Sequence, residues 1–502
     1  MKLRSLLLVS LILGLIPLNA PATAQSIDNC RIAAARNSIV SLGFPVRPER
    51  LASKANPKIL VLPFQLKDEP KYTLTDQDRA NFDQAAVNIL EFSQGINKVN
   101  FVFNPTVELS YTASEFDDFK INVSKTFQNN FKKSTYGLVE SIIKSADQSI
   151  NYEGFDAVVI FGSSSYRRQE IAEAMMFTKD KLAFGYGVKT GGNGSNWWNP
   201  TIVNDNWFDP IVTNEGLISN VTLMYNAMNP STLTHELMHL YGLTDLYGSN
   251  SSPANTLMSD NAIALLALEK WTLGWLADEN VQCISEKVDI KADSVNNAFS
   301  VDYSSKDQLI VIPTGPTTAL GVDVTKRGSR RLLSFYSLDN DIRPSITAFR
   351  SNSKALSIDV SNNSGTGSFI ESPKYTLLIK DNIGLKLSLS LIPKDLANSD
   401  AAKQLFTDAE NTRISNVKLI QAENEAKAAA ELKAKQEAEA KAIADAKVVA
   451  EAKAAADLKA KQEAEAKAAA AKKTTITCIK GKLTKKVTAV KPKCPTGYKL
   501  KK

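Results

Sequence analysis

Residues 229–245 read Asn-Pro-Ser-Thr-Leu-Thr-His-Glu-Leu-Met-His-Leu-Tyr-Gly-Leu-Thr-Asp and contain both histidines of the 502-residue chain, His235 and His239. Positions four apart share one face of a helix, so two imidazoles at this spacing can bind a single metal ion. Glu236, next to His235, is a carboxylate suited to take a proton from a water that such a metal has acidified to a pKa of about 7. Asn229 is a good N-cap and Pro230 fits the first helical position, so a helix is expected to start here and run to Tyr241. Gly242 then stands where a helix ends in a left-handed residue, which turns the chain back and brings Asp245 toward the histidines. Two imidazoles and one carboxylate leave a fourth position open, the arrangement of a catalytic rather than a structural zinc site. An anionic third ligand makes that zinc a slightly weaker Lewis acid than a third imidazole would. Glu269 on a downstream helix is the alternative third ligand, although it reads more simply as a solvated or salt-bridged residue on a helix face. Asp260 is a weaker alternative. The same ligand types accept other divalent ions.

The elements around this helix alternate. Residues 58–64 and 157–161 are short apolar runs expected as buried strands, 76–92 and 131–146 are amphipathic helices, and 99–103 and 107–111 are further strands. Interleaved strands and helices place this part in the α+β class. Residues 185–206, rich in Gly, Asn and Trp, suit a long loop over a cleft. Beyond Cys283 the chain changes to short alternating runs at 298–303, 308–312, 332–336, 356–360, 375–379 and 385–391, expected as a small β-sandwich-like module over 284–397. Residues 398–472 are expected as a long helix. Within it 424–472 is nearly pure Ala, Lys and Glu, and 425–442 recurs almost unchanged as 451–468. Glu-to-Lys pairs such as Glu431 with Lys435 support a solvated helix, and large apolar residues are too sparse for a coiled-coil seam. A helical spacer and a flexible charged linker both fit.

The stretch from His235 to Tyr247 resembles the extended motif of the metzincin clan of zinc peptidases, His-Glu-x-x-His-x-x-Gly-x-x-His/Asp followed by a methionine turn. The Gly-Leu-Thr-Asp-Leu-Tyr continuation, Leu257-Met258-Ser259, and Ala267-Leu-Glu-Lys leading into Leu273-Gly-Trp-Leu are most similar to the immune inhibitor A, or M6-type, secreted bacterial peptidases. The resemblance implies a two-lobed catalytic domain over 58–283, with His235, His239 and Asp245 as zinc ligands, Glu236 as general base and Met258 beneath the metal. Read alone, Met258 is an ordinary core residue. Members usually carry Pro where this chain has Thr244, so substrate preference does not transfer. Calcium is compatible with the Asp/Asn-rich loops, but no complete ligand set for it is present.

Lys2 and Arg4, the apolar run 6–18 and Ala22-Thr23-Ala24 have the order of a secretory signal peptide, with cleavage expected after Ala24. An uncleaved membrane anchor is the alternative, and no later stretch qualifies as a span. Four cysteines in an export product permit disulfides, with three connectivities open. Cys478 and Cys494 lie close together in an isolated tail and are expected to pair, leaving Cys30 with Cys283. In a rival reading Cys30 is a thiolate lying on the metal, in an inhibitory segment at 25–57. The formal charge is +7, but residues 473–502 hold ten Lys and no acid, leaving the rest at about −3. This gives no argument for a nucleic-acid-binding body, so none is expected, and it allows the tail an anionic partner such as a cell-surface polymer or lipid headgroups. Composition is that of a globular protein, and no phosphate loop, nucleophile elbow or glycosidase carboxylate pair stands out. The expected activity is that of a secreted zinc endopeptidase acting on protein or peptide substrates. The competing class is a non-catalytic surface-binding protein displayed on a helical stalk.

Overall fold

The structure, a computed structural model, describes residues 26–34, 40–110, 112–115, 135–162, 173–176, 210–225, 229–246, 256–260, 264–303, 306–328, 330–340, 345–351, 357–360, 365–384 and 386–502. The expected signal peptide and the loop at 185–206 lie outside these residues. The chain forms two compact units, Met1–Asn416 and Val417–Lys502. The fold is mixed α/β, and among the described residues no helix is long and apolar enough to cross a membrane.

The first sheet is built from β1 (Lys58–Gln65), β2 (Asn100–Phe103), β3 (Val107–Glu108), β4 (Ala157–Gly162), β5 (Glu173–Met176) and, after a short hairpin of β6 (Ile211–Val212) and β7 (Leu217–Ile218), β8 (Asn220–Tyr225). Its order is β2-β1-β4-β8-β5, with β3 also on β1. All pairs are parallel except β5 with β8. The continuous apolar runs of β1 and β4 follow from this, because a parallel sheet is covered on both faces. Ile59, Val61, Ala157 and Val159 face helix α1 (Asp76–Phe92). The alternate residues Leu60, Leu62, Val158 and Ile160 face helix α2 (Thr135–Ala146) through Val139, Ile142 and Ile143. Thr75 and Asp78 close a reciprocal capping box at the start of α1.

Helices α3 (Pro230–Tyr241), α4 (Leu257–Asp260) and α5 (Ala267–Thr272) follow. Two sheets come next. One joins β9 (Val281–Cys283), β11 (Gln308–Pro313), β12 (Thr318–Arg327), β13 (Arg330–Asp339) and β14 (Ser345–Ala348), with β16 (Ser357–Asp359) on β13. The other joins β10 (Asn297–Asp302), β15 (Arg350–Ser351), β17 (Phe369–Glu371), β18 (Tyr375–Ile383) and β19 (Lys386–Pro393). Ile310, Val322 and Phe335 from the first share a core with Val301, Leu377 and Leu389 from the second. The opposite face of the first, with Leu309, Val311, Tyr336 and Leu338, belongs instead to the core beneath α1, α3 and α5. The expected boundary at 283/284 therefore falls inside one packed unit.

The same core takes in Cys30, Ile32, Val40, Leu42 and Leu51 from the N-terminal segment expected as separate at 25–57. Both expected disulfides are present, Cys30–Cys283 and Cys478–Cys494. With its sulfur in that bond, Cys30 offers no thiolate, which overturns the inhibitory-thiolate reading. The strand β12 has no counterpart among the expected runs. Helix α6 runs from Asp400 to Ala471, and β20 (Thr474–Lys480), β21 (Leu483–Ala489) and β22 (Lys499–Leu500) form a small antiparallel sheet in the order β21-β20-β22.

Candidate metal centre

Helix α3 begins and ends where the sequence places it. The Asn229 side chain accepts from Thr232 N at 2.8 Å, and Pro230 occupies the first turn. Gly242 follows the helix at φ +116°, with its amide directed to the carbonyls of His239 and Met238, and Leu243 N also reaches Met238 O. A Cβ at position 242 would lie 2.9 Å from Val46 Cγ1, so the tight turn excludes any side chain. The turn delivers Asp245 to the two histidines: Asp245 Oδ1 lies 3.2 Å from His235 Nε2 and 3.3 Å from His239 Nε2. All three residues are 5% exposed. Among the described residues this is the one group of three His, Cys, Asp or Glu side chains placed to hold a metal ion.

The histidines are oriented from behind. His235 Nδ1 lies 2.8 Å from Leu257 O, and His239 Nδ1 lies 2.8 Å from Leu243 O. A carbonyl oxygen only accepts, so each Nδ1 carries the hydrogen and each Nε2 presents its lone pair toward Asp245. The imidazole planes are nearly perpendicular, at 89°. Burial alone would lower the pKa of His239, but the Asp245 carboxylate, with Glu236 adding to it, outweighs burial and raises it. The pocket thus favours a positive charge between imidazole and carboxylate, which a proton or a metal ion can supply.

The methionine segment is bonded to both sides of the ligand group. Leu257 supplies the carbonyl to His235, and Met258 O accepts from Leu246 N, the residue after Asp245, at 2.8 Å. Met258 is fully buried. Glu236 is 8% exposed on α3 beside His235, close enough to act on the charge of His239. Asp260 ends α4, and its side chain lies outside what the structure describes.

Glu269, the alternative ligand, is elsewhere, and it is not on a solvated face. It is fully buried, its Oε2 accepting from Leu266 N at 2.7 Å and from Thr256 Oγ1 at 2.5 Å, so that it caps α5. Its Oε1 is buried without a hydrogen-bond partner. Burial pushes this carboxyl up to about 7. Asp323 from β12, also fully buried, accepts from Leu268 N at 3.1 Å, and burial pushes it likewise to about 7.

Sequence reasoning missed the backbone carbonyls of Leu243 and Leu257, which have no residue-type signal. It also missed the support of the Gly242 turn, where Ser41 N donates to Gly242 O at 2.9 Å and Val46 and Arg50 pack on the glycine. No protein-family model matches the chain, and no curated protein matches its sequence.

Proposed function

We propose that the protein is an exported zinc endopeptidase of the metzincin type, most like the immune inhibitor A family. One observation carries this reading. A tetrahedral zinc with bonds of roughly 2.0–2.1 Å has ligand-to-ligand edges of about 3.3 Å, and the carboxylate oxygen stands 3.2 and 3.3 Å from the two Nε2 atoms. Three protein ligands leave a position for water or substrate. The chain before the Gly242 turn, with its sheet and α3, is read as one lobe of the catalytic domain, and the chain after it as the start of the other. Two disulfides support an oxidising, extracellular destination.

When bound, zinc supplies Lewis acidity toward the scissile carbonyl and the attacking water. The chain's own groups do the rest. His235 and His239, fixed by Leu257 O and Leu243 O, hold their lone pairs in register, and Asp245 compensates the charge they gather. Glu236 takes the proton of the attacking water and returns it to the leaving amine. Nothing else in the sequence requires an acid beside His235, and a purely binding site has no use for one.

The test is metal content by mass spectrometry on the purified chain, together with chelator-sensitive cleavage of casein. The expected result is one zinc per chain and chelator-sensitive cleavage. Glu236→Gln keeps the metal and loses turnover by at least about a hundredfold, and Asp245→Ala loses both. A chain without metal refutes the proposal. A chain with metal but no cleavage transfers it to the non-catalytic, surface-binding class.

A further inference from the structure

The second unit carries a charge distribution that a peptidase does not need. Helix α6 is balanced, with twelve basic and thirteen acidic residues over Asp400–Ala471. Beyond it, residues 472–502 hold eleven Lys and no acid. The sheet that displays them is closed by the Cys478–Cys494 disulfide.

The register divides these residues between two faces. On β20, Cys478 and Lys480 share a face with Lys485, Leu483 and Leu500 of the flanking strands. Cys478 is fully buried, and Gly497 lies close enough that a Cβ on it would meet Lys480 Nζ at 3.2 Å. The segment around Cys494 therefore packs on this face at Cys478, while Lys480, Leu483, Lys485 and Leu500 stay exposed. On the open face, Thr477 stands opposite Lys486, Ile479 stands between Thr484 and Lys499, and Thr475 pairs with Thr488 through their hydroxyls at 2.7 Å. Strands lie about 4.8 Å apart and residues about 3.4 Å apart along them, so Lys486, opposite Thr477, and Lys499, opposite Ile479, frame β20 at a separation of roughly 12 Å. This exceeds a Debye length of about 8 Å, so the two ammonium groups act as separate contacts for successive charges of one ligand. Lys482 adds its charge at the hairpin turn.

We propose that this sheet is a binding module for acidic polysaccharide. Ammonium groups pair with the repeated anionic groups of such a chain, and the row of threonine hydroxyls exchanges hydrogen bonds with its sugars. Two features set this partner apart from other polyanions. The open face carries a single large aliphatic residue, the half-buried Ile479, and not the cluster of anchors that seats a protein in a bilayer; Leu483 and Leu500 are exposed, but on the other face. The module's one aromatic residue is Tyr498, so it has no stacking platform for nucleic-acid bases.

The test uses the full chain with three probes: heparin, vesicles of equal phosphatidylglycerol and phosphatidylcholine, and a thymidine oligonucleotide. Heparin is expected to bind most tightly, with affinity falling as salt rises. The variant Lys482→Gln/Lys485→Gln/Lys486→Gln/Lys499→Gln should lose about tenfold or more at ~0.15 M salt. A charge-matched helix variant, Lys427→Gln/Lys441→Gln/Lys453→Gln/Lys467→Gln, should bind heparin as the parent does. The substituted side chains are exposed, and retention of both disulfides by thiol titration verifies the fold. Failure to bind heparin, equal weakening in the two variants, or tighter binding to vesicles or oligonucleotide would overturn the proposal. None of these readouts depends on the metal site.

Discussion

Replacing Glu269 by Gln separates a buried cap from a metal ligand. In the folded protein the Glu269 carboxyl titrates at about 7, against 4.5 for its ordinary value. A carboxyl whose pKa is raised on folding contributes stability that is present below the ordinary value and is lost as the pH climbs through the folded value. Across pH 5 to pH 8 this group alone costs the folded state about 2–3 kcal/mol, because a tenfold difference in proton affinity between the folded and unfolded chain is worth about 1.36 kcal/mol. Full burial means that solvent screening does not reduce the figure. Gln fits the same space and keeps an acceptor for Leu266 N, but cannot ionise. The assay is urea unfolding followed by the fluorescence of buried Trp271 and Trp275, in chelator, at both pH values, for parent and variant. Parent stability should fall with pH more than that of Glu269→Gln by about 2–3 kcal/mol. Asp323 titrates in the same window, but it is present in both proteins, and removal of its charged neighbour flattens the variant further. Equal pH dependence in the two proteins would refute the burial argument, and loss of metal from Glu269→Gln with retention of metal by Asp245→Ala would refute the choice of Asp245 as third ligand.

Gly242→Ala places a Cβ 2.9 Å from Val46 Cγ1 at φ +116°; it should cost about 2–4 kcal/mol in urea unfolding and weaken zinc binding in a competition titration. The double variant Cys30→Ser/Cys283→Ser opens a link of 253 residues and should destabilise by about 3–5 kcal/mol in urea unfolding, with a steeper slope because the unfolded chain is no longer closed into a loop. Lys270→Met takes from Asp307 its closest cation, whose Nζ lies 2.6 Å from Oδ2 with both groups buried, and leaves Arg331 Nη1 at 3.5 Å and Lys326 N at 2.7 Å on Oδ1. The loss should be about 3 kcal/mol, and it should shrink when Asp307→Asn is added in a double-mutant cycle.

What the sequence disclosed was local. The ligand helix could be read because Asn229, Pro230 and Gly242 each act within one turn of the residue that carries them. The bounds of α1 and the apolar runs of β1 and β4 were legible for the same reason. Strand β12 was not, since Gly321 and Asp323 break its apolar run, and both are explained only by distant partners. A Cβ on Gly321 would lie 2.3 Å from the Tyr336 ring, and Asp323 caps α5. Glu269 followed the same pattern in reverse. Its neighbours Ala-Leu-Glu-Lys-Trp look like an ordinary amphipathic turn, and only packing against β12 turns its carboxyl inward. Residues 26–57, with their prolines and no periodicity, showed no sign of being core, because their burial comes entirely from long-range contacts.

Those contacts bear on how the ligand group keeps its shape. Asp245 is reached through a glycine turn that provides no packing of its own, so its position is set by what surrounds the turn. On one side Ser41, Val46 and Arg50 press on Gly242. On the other, Met258 O holds Leu246 N and Leu257 O orients His235. The first group is anchored by Leu42 and Leu51 in the core and by Cys30 to Cys283. The second is anchored through Thr256, whose hydroxyl binds both Met258 N and the Glu269 cap. A segment that buries its own side chains in the core and braces the ligand turn is framework for the site. The N-terminal segment and the cap of α5 thus bear on the metal centre without contributing a ligand, because they fix where a carboxylate on a loop must stand.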